Sequence, residues 1–241
     1  MTTPDKPARG QHVRWRAQAD AAALRDAACA HIVAAAAAAI RERQRFLLVL
    51  SGGTTPRAVF RELRQADTDW SRWHIYFGDE RCLPRDDPER NSVMAADAWL
   101  DHVSIPSSQR HVIAAELGAT IGARQYARDL RDVGEFDLVL LGLGEDGHTA
   151  SLFAGHDWGA SSDSADALAV ANAPKPPPQR VSLSAARLSR TRAALFLVAG
   201  ESKRDAVQAW RAGADIPAAA IRPEAGVDAL IDAALLTESV R

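Results

Sequence analysis

The sequence predicts an α/β fold, a mostly parallel sheet with helices on both faces. Short continuous apolar runs at Phe46–Leu50, Trp73–Phe77, Phe136–Leu141 and Ala194–Val198 suit buried parallel strands. Helix-compatible stretches lie between the first three runs and after the fourth. Glycine-bearing polar motifs follow them, and in such sheets ligands bind beyond the carboxyl ends of the strands. The 241 residues fit one domain, 1–241, with a core from about 11 to 235.

Taken in order, residues 1–16 read as a loose start with an early strand around Val13–Trp15. Residues 17–43 are rich in alanine, the best helix former, with Leu24, Ile32, Val33 and Ile40 at helical spacing. After the strand Phe46–Leu50, Pro56 opens a helix to about Gln65, a position where a first turn tolerates proline. Trp73–Phe77 is the next strand and ends in the charged Gly78-Asp79-Glu80-Arg81. A helix is expected near Asn91–Leu100, a brief strand at Val112–Ile113 and a helix over about 119–132. Phe136–Leu141 is the clearest strand. A Gly, Ser and Asp-rich loop at 155–166 precedes a strand at Ala167–Ala171. The proline-dense Pro174–Pro178 cannot be helix interior. It is too short to separate domains. Strands at Arg180–Leu183 and Ala194–Val198 and a helix at Glu201–Arg211, with Trp210 on its buried side, complete the alternation.

A net charge of −2 gives no global basic field for nucleic acid, so an anionic ligand needs local cations. The widely spaced Cys29 and Cys82 form neither a disulfide framework nor a zinc pattern, and read as reduced thiols. The first ten residues lack the apolar core of a signal segment. The Ala34–Ala39 tract is too short and too flanked by charge for a membrane span.

Four strand ends carry candidate chemistry. Ser51-Gly52-Gly53-Thr54 can turn backbone N–H groups and a helix N-terminus toward a phosphate. A tight turn with a threonine cap explains the same residues, and the two readings are even. In Gly78-Asp79-Glu80-Arg81, a solvated loop is the default. Charge at a ligand edge nevertheless needs a partner. Asp79 is a candidate to position a substrate hydroxyl or a catalytic group, and Arg81 to offset charge on a reacting oxygen. Arg90 and Asn91 are read as a cap and a rim contact. Gly142-Leu-Gly-Glu-Asp146-Gly-His148 places an imidazole, the natural acid or base near neutral pH, beside an acid. A surface or packed histidine is the plainer alternative. The paired glycines raise a dinucleotide site, which lacks its ribose-binding acid after a following strand. Lys203, in the first turn of its helix, lies at the wrong end of the dipole unless an anion is near. Arg180 and Lys203 are therefore candidates to clamp a phosphate with Ser51–Thr54.

These motifs, together with Asn91-Ser92, Arg180-Val-Ser-Leu and Gly-Glu-Ser-Lys203, occur in an order that resembles the 6-phosphogluconolactonase family. The likeness runs over nearly the whole chain. It implies a Rossmann-like three-layer α/β/α fold of the glucosamine-6-phosphate deaminase/ribose-5-phosphate isomerase-like superfamily. It implies hydrolysis of 6-phospho-D-glucono-1,5-lactone in the oxidative pentose phosphate pathway, in the cytoplasm, with no metal or other cofactor. On this resemblance His148 deprotonates the attacking water, and Asp146 holds His148 or contacts a sugar hydroxyl. Arg81, with Asp79 beside it, offsets the oxyanion, and Gly52, Gly53, Thr54, Arg180 and Lys203 bind phosphate. The expected partner is a small sugar-phosphate lactone, with no nucleic acid or membrane, for a monomer or weak homodimer. The related deaminases have a ring-opening glutamate where this chain has Phe153, and a tyrosine at Arg81. A non-catalytic sugar-phosphate regulator of this fold usually carries a DNA-binding helix-turn-helix, and the Ala-rich residues ahead of Phe46 hold no basic recognition segment. Residues 155–178 fit a mobile lid or an inert loop equally well.

Overall fold

The computed structural model describes residues 10–237. In chain order its elements are β1 (Val13–Gln18), α1 (Ala21–Arg43), β2 (Phe46–Leu50), α2 (Thr54–Leu63), β3 (Trp73–Phe77), β4 (Asp79–Arg81), α3 (Asn91–Ala98) and α4 (Ala119–Asp129). There follow β5 (Leu138–Gly142), β6 (Ala167–Val170), β7 (Arg180–Leu183), α5 (Ala185–Ser189), β8 (Ala194–Val198), α6 (Arg204–Arg211) and β9 (Val227–Asp232). Six strands form one sheet in the order β1-β9-β8-β5-β2-β3, and every pair in it is parallel.

The apolar runs explain the central strands. All five residues of β2 and of β8 are buried, as expected where helices cover both faces. Because the strands are parallel, their carboxyl ends share one edge. Chain order reverses there between β2, which leads out to β3, and β5, which leads the other way. That reversal opens a crevice between the loops after Leu50 and Gly142, the usual ligand position in an open α/β sheet.

Asp20 caps α1 by accepting from the Ala23 N–H at 2.8 Å, and Gln44 ends it in the left-handed region. By length and composition alone, α1 is apolar enough to cross a membrane. Its stripe of Leu24, Ala28, Ile32, Ala36 and Ala39 is instead buried in the core, where α1 meets β9, β2 and α2. Small side chains let this helix lie close to the sheet.

Two expectations are corrected. Val112–Ile113 is not a strand; the chain touches β3 just before it, through an Ile75–Arg110 bridge and the His111 N–H on the Ile75 carbonyl. Asp79–Arg81 is not a loop but β4, an outer strand of a second, antiparallel sheet ordered β4-β7-β6. Its charge is matched from within. Glu80 is fully buried and accepts from the backbone N–H groups of Arg81, Asn91 and Ser92 at 2.8, 2.8 and 2.9 Å. It thereby satisfies free donors at the start of α3. Arg90, also fully buried, stands 3.5 Å from Glu80 and 2.8 Å from Glu116.

Candidate active site

A cavity of about 330 Å³ opens at the carboxyl edge of the parallel sheet. Ser51, Gly52 and Gly53 line it from the β2–α2 turn, Gly142 from the end of β5, and Gly144 and His148 from the loop after it. Asp79, Arg81 and Arg180 reach it from the small sheet, and Lys203 from the turn before α6. Eight of the ten residues singled out in the sequence therefore meet in one place. Thr54 and Asp146 are not in the lining: Thr54 begins α2, and Asp146 stands beside the histidine.

The loop after β5 is wound tightly around His148. The Gly144 N–H donates to the His148 carbonyl at 2.7 Å, and the Gly147 N–H to the Gly144 carbonyl at 3.1 Å. A Cβ on Gly144 would lie 1.9 Å from His148 Nδ1, so only glycine leaves room for the ring. His148 Nδ1 is 2.5 Å from Asp146 Oδ1. As the carboxylate accepts, the proton of the neutral ring belongs on Nδ1, which assigns the lone pair to Nε2. Burial pushes the Asp146 carboxyl up, but the hydrogen bond and charge of His148 outweigh it and hold the group below its ordinary value. Phe153, buried, tilts against the imidazole with centroids 4.8 Å apart.

Asp79 faces inward with both oxygens engaged. Oδ1 accepts from Asn91 Nδ2 at 2.9 Å and Oδ2 from Ser151 Oγ at 2.5 Å. Asn91 Nδ2 also donates to the Asp79 carbonyl at 2.9 Å. On its other side Asn91 abuts the β2–α2 turn, where a Cβ on Gly52 would lie 2.0 Å from Asn91 Oδ1. One hydrogen-bonded chain thus ties α3, β4 and the turn after His148, and the first glycine turn packs against it. No side chain caps α2, which leaves first-turn N–H groups beside Ser51–Gly53 for an anion.

The cations differ in freedom. Arg81 Nη1 donates to the Glu89 carbonyl, while its buried Nε has no protein acceptor. Arg180 is buried and donates from Nε to the Pro177 carbonyl and from Nη2 to the carbonyls of Lys175 and Pro176. Burial lowers its guanidinium below the ordinary arginine value, against the pull of Asp79. It also lies over the Phe153 ring at 5.6 Å. Lys203 closes the turn Glu201–Lys203 that leads into α6. Three contributors went unread in the sequence: Ser151, the anchoring role of Asn91, and Lys175, which lines the cavity. A lone cation inside a proline run was the available sign of Lys175.

Fold and site together define a Rossmann-like α/β protein with a histidine–aspartate pair set in a cation-lined cleft at the sheet's switch point. The family model for glucosamine-6-phosphate isomerases/6-phosphogluconolactonase matches residues 19–230. The chain belongs to that family. The 6-phosphogluconolactonase of Mycobacterium leprae is 39% identical over 202 residues, 78% of this chain and 80% of the relative. The solved 6-phosphogluconolactonase of Trypanosoma brucei superposes with a TM-score of 0.83 at 26% identity, covering 93% of this chain and 98% of the other. A monomeric glucosamine-6-phosphate deaminase shares the fold alone, with a TM-score of 0.77 at 22% identity over 93% of this chain and 99% of the other.

Proposed function

We propose that this chain hydrolyses 6-phospho-D-glucono-1,5-lactone to 6-phospho-D-gluconate, the second step of the oxidative pentose phosphate pathway. One observation carries the reading: Asp146 engages His148 Nδ1, so the other ring nitrogen serves as a base at a cavity lined with cations. His148 Nε2 takes a proton from water as its oxygen bonds to C1. The carbonyl electrons move onto oxygen, and Arg81, which lines the cavity, offsets that charge. Collapse breaks the bond from C1 to the ring oxygen, which takes the proton back from the imidazolium. The new acid ionises, leaving a carboxylate and a free hydroxyl.

Asp146 acts through the imidazole, fixing its tautomer. Asp79, with both oxygens committed to Asn91 and Ser151, acts by positioning. The N–H groups of Gly52, Gly53 and Thr54, the Ser51 hydroxyl, Lys203 and the remaining Arg180 nitrogen take the phosphate. Holding that remote end orients C1 toward the base. The deaminase alternative is disfavoured because Phe153, packed on His148, has no proton to give. Cys29 and Cys82 are unpaired thiols, in keeping with a reducing compartment such as the cytoplasm.

The test is to generate the lactone in situ and follow its decay by NMR with the spontaneous rate subtracted. Wild type should exceed the blank, and His148→Ala should lose about 10²–10⁴-fold in kcat with an unchanged circular dichroism spectrum. Intact wild-type protein that only matches the blank would end this reading.

A further inference from the structure

The proline run reaches the cavity as a fixed strap. Its ends are tied by the Ala173 N–H on the Pro178 carbonyl at 2.9 Å, and Arg180 gathers the carbonyls of residues 175, 176 and 177. Three prolines follow Lys175 directly. Their rings fix φ and remove N–H donors, so the strap turns carbonyls to Arg180 with little freedom left to lose. A guanidinium committed in this way keeps only Nη1 for an entering anion. Lys175 is different. It lines the cavity and its side chain is 47% exposed, with Nζ 3.7 Å from Glu145 Oε2. Glu145 belongs to the loop that carries Asp146 and His148. At that distance and exposure the ion pair is weak and exchangeable.

We infer that Lys175 is a ligand-gripping residue of this cavity and that Glu145 is its internal competitor, displaced when an oxyanion of the sugar ligand takes the ammonium. The inference rests on the proposed anionic substrate and adds a specificity-determining cation to it. Two oxyanions share the required chemistry, the phosphoryl group and the carboxylate formed at C1. Arg180, besides its remaining contact with the phosphate, sets the strap so that the flexible lysine stem starts from a fixed backbone. Exchange of one carboxylate for one ligand oxyanion leaves the local charge balanced until the ligand departs, when Glu145 recaptures Lys175. The pair thus opposes tight retention of an anionic product.

Calorimetric titration with 6-phosphogluconate, inorganic phosphate and gluconate tests this on the intact protein. Lys175→Met should weaken 6-phosphogluconate binding about tenfold, the factor suited to one charge-assisted contact at a half-exposed site. Lys175→Arg should restore much of the loss. Glu145→Gln should tighten binding by about threefold, in line with loss of an exposed competing pair. In the double variant Glu145→Gln should have no further effect, because its competition exists only through Lys175. A merely structural ion pair would make both single variants weaker. Weakening toward inorganic phosphate assigns the phosphoryl end, and weakening toward gluconate assigns the carboxylate. In turnover, Lys175→Met should raise KM about tenfold and lower kcat by less than about threefold. Unchanged dissociation constants for all three probes in Lys175→Met, or weaker binding in Glu145→Gln, would overturn the proposal. Wild type that fails to turn over lactone counts against the lactonase reading, while the titrations still decide the exchange of partners.

Discussion

At His148 a single proton decides the chemistry. Asp146 Oδ1 can only accept while ionised, so it holds the proton on Nδ1 and leaves Nε2 basic. Asp146→Asn keeps the size of the side chain but can turn an amide donor toward the ring. The imidazole then answers with a bare Nδ1, its proton moves to Nε2, and the base is lost. We expect kcat to fall by about 10²-fold or more with KM little changed, since the group acts on a step and not on binding. The proposal that Asp146 orients the base fails if Asp146→Asn retains wild-type kcat. The acid's depressed pKa adds a second expectation of the same kind. It stays ionised well below neutral pH, so it can accept from Nδ1 wherever the ring is neutral. The pairing itself was not legible in the sequence. Two residues separated by one glycine share a turn, but only the wound backbone, with Gly144 making room for the ring, turns them face to face.

Among the elements, β4 shows why charge misleads a reading of sequence. Asp79, Glu80 and Arg81 look like a solvated loop until α3 and β7 are placed beside them. Glu80 then becomes a buried acceptor for three backbone donors, with Arg90 at its back. Glu80→Gln would present an amide to N–H groups and withdraw charge from a buried guanidinium. Arg90 keeps Glu116, so the loss should be about 2–4 kcal/mol and not the full cost of a stranded ion. For a protein of this size that corresponds to a Tm lower by roughly 5–15 °C. Thermal unfolding of the purified variant checks it, and a Tm within about 2 °C of wild type contradicts the argument. The central strands were readable because five consecutive buried positions leave an apolar run. β9 was missed because Asp228 interrupts its run and is buried by bonding Arg14 and Arg16 of β1, partners some two hundred residues away. The candidate site was legible as motifs at strand ends. What was not legible was the work done by Asn91, Ser151 and Lys175, whose roles depend on neighbours distant in the chain.

Over the whole molecule, acid should loosen the fold in two stages. Three partly buried histidines sit on different elements: His31 on α1, His74 on β3, and His111 in the segment that bridges to β3. Burial is the largest cause in each case and lowers all three below the ordinary imidazole value. Arg16 and Arg14 reinforce it at His31 against Asp228, Arg45 at His74, and the neighbouring His74 at His111 against Asp129. His74 Nδ1 and His111 Nε2 face each other at 3.5 Å, an arrangement that suits one shared proton and not two. The unfolded chain takes up protons at these residues near pH 6.5, before the native state does. In that window the unfolded state binds more protons, so stability rises with pH and falls as pH drops below about 6.5. The loss ends once pH passes below the native pKa values of the three rings. A second loss begins lower down. Glu116, Asp146 and Asp228 have pKa values below the ordinary carboxylate range, so they stabilise the fold above about pH 4 and lose that contribution as they are protonated. Urea midpoints measured from pH 7.5 to 3.5 should therefore show a shallow decline below about 6.5 and a steeper one below about 4.5. A His74→Gln/His111→Gln variant should reduce the first decline to the share left by His31 and leave the second. If the wild-type midpoint at pH 5.5 equals or exceeds that at pH 7.5, these histidines are not held neutral by the fold.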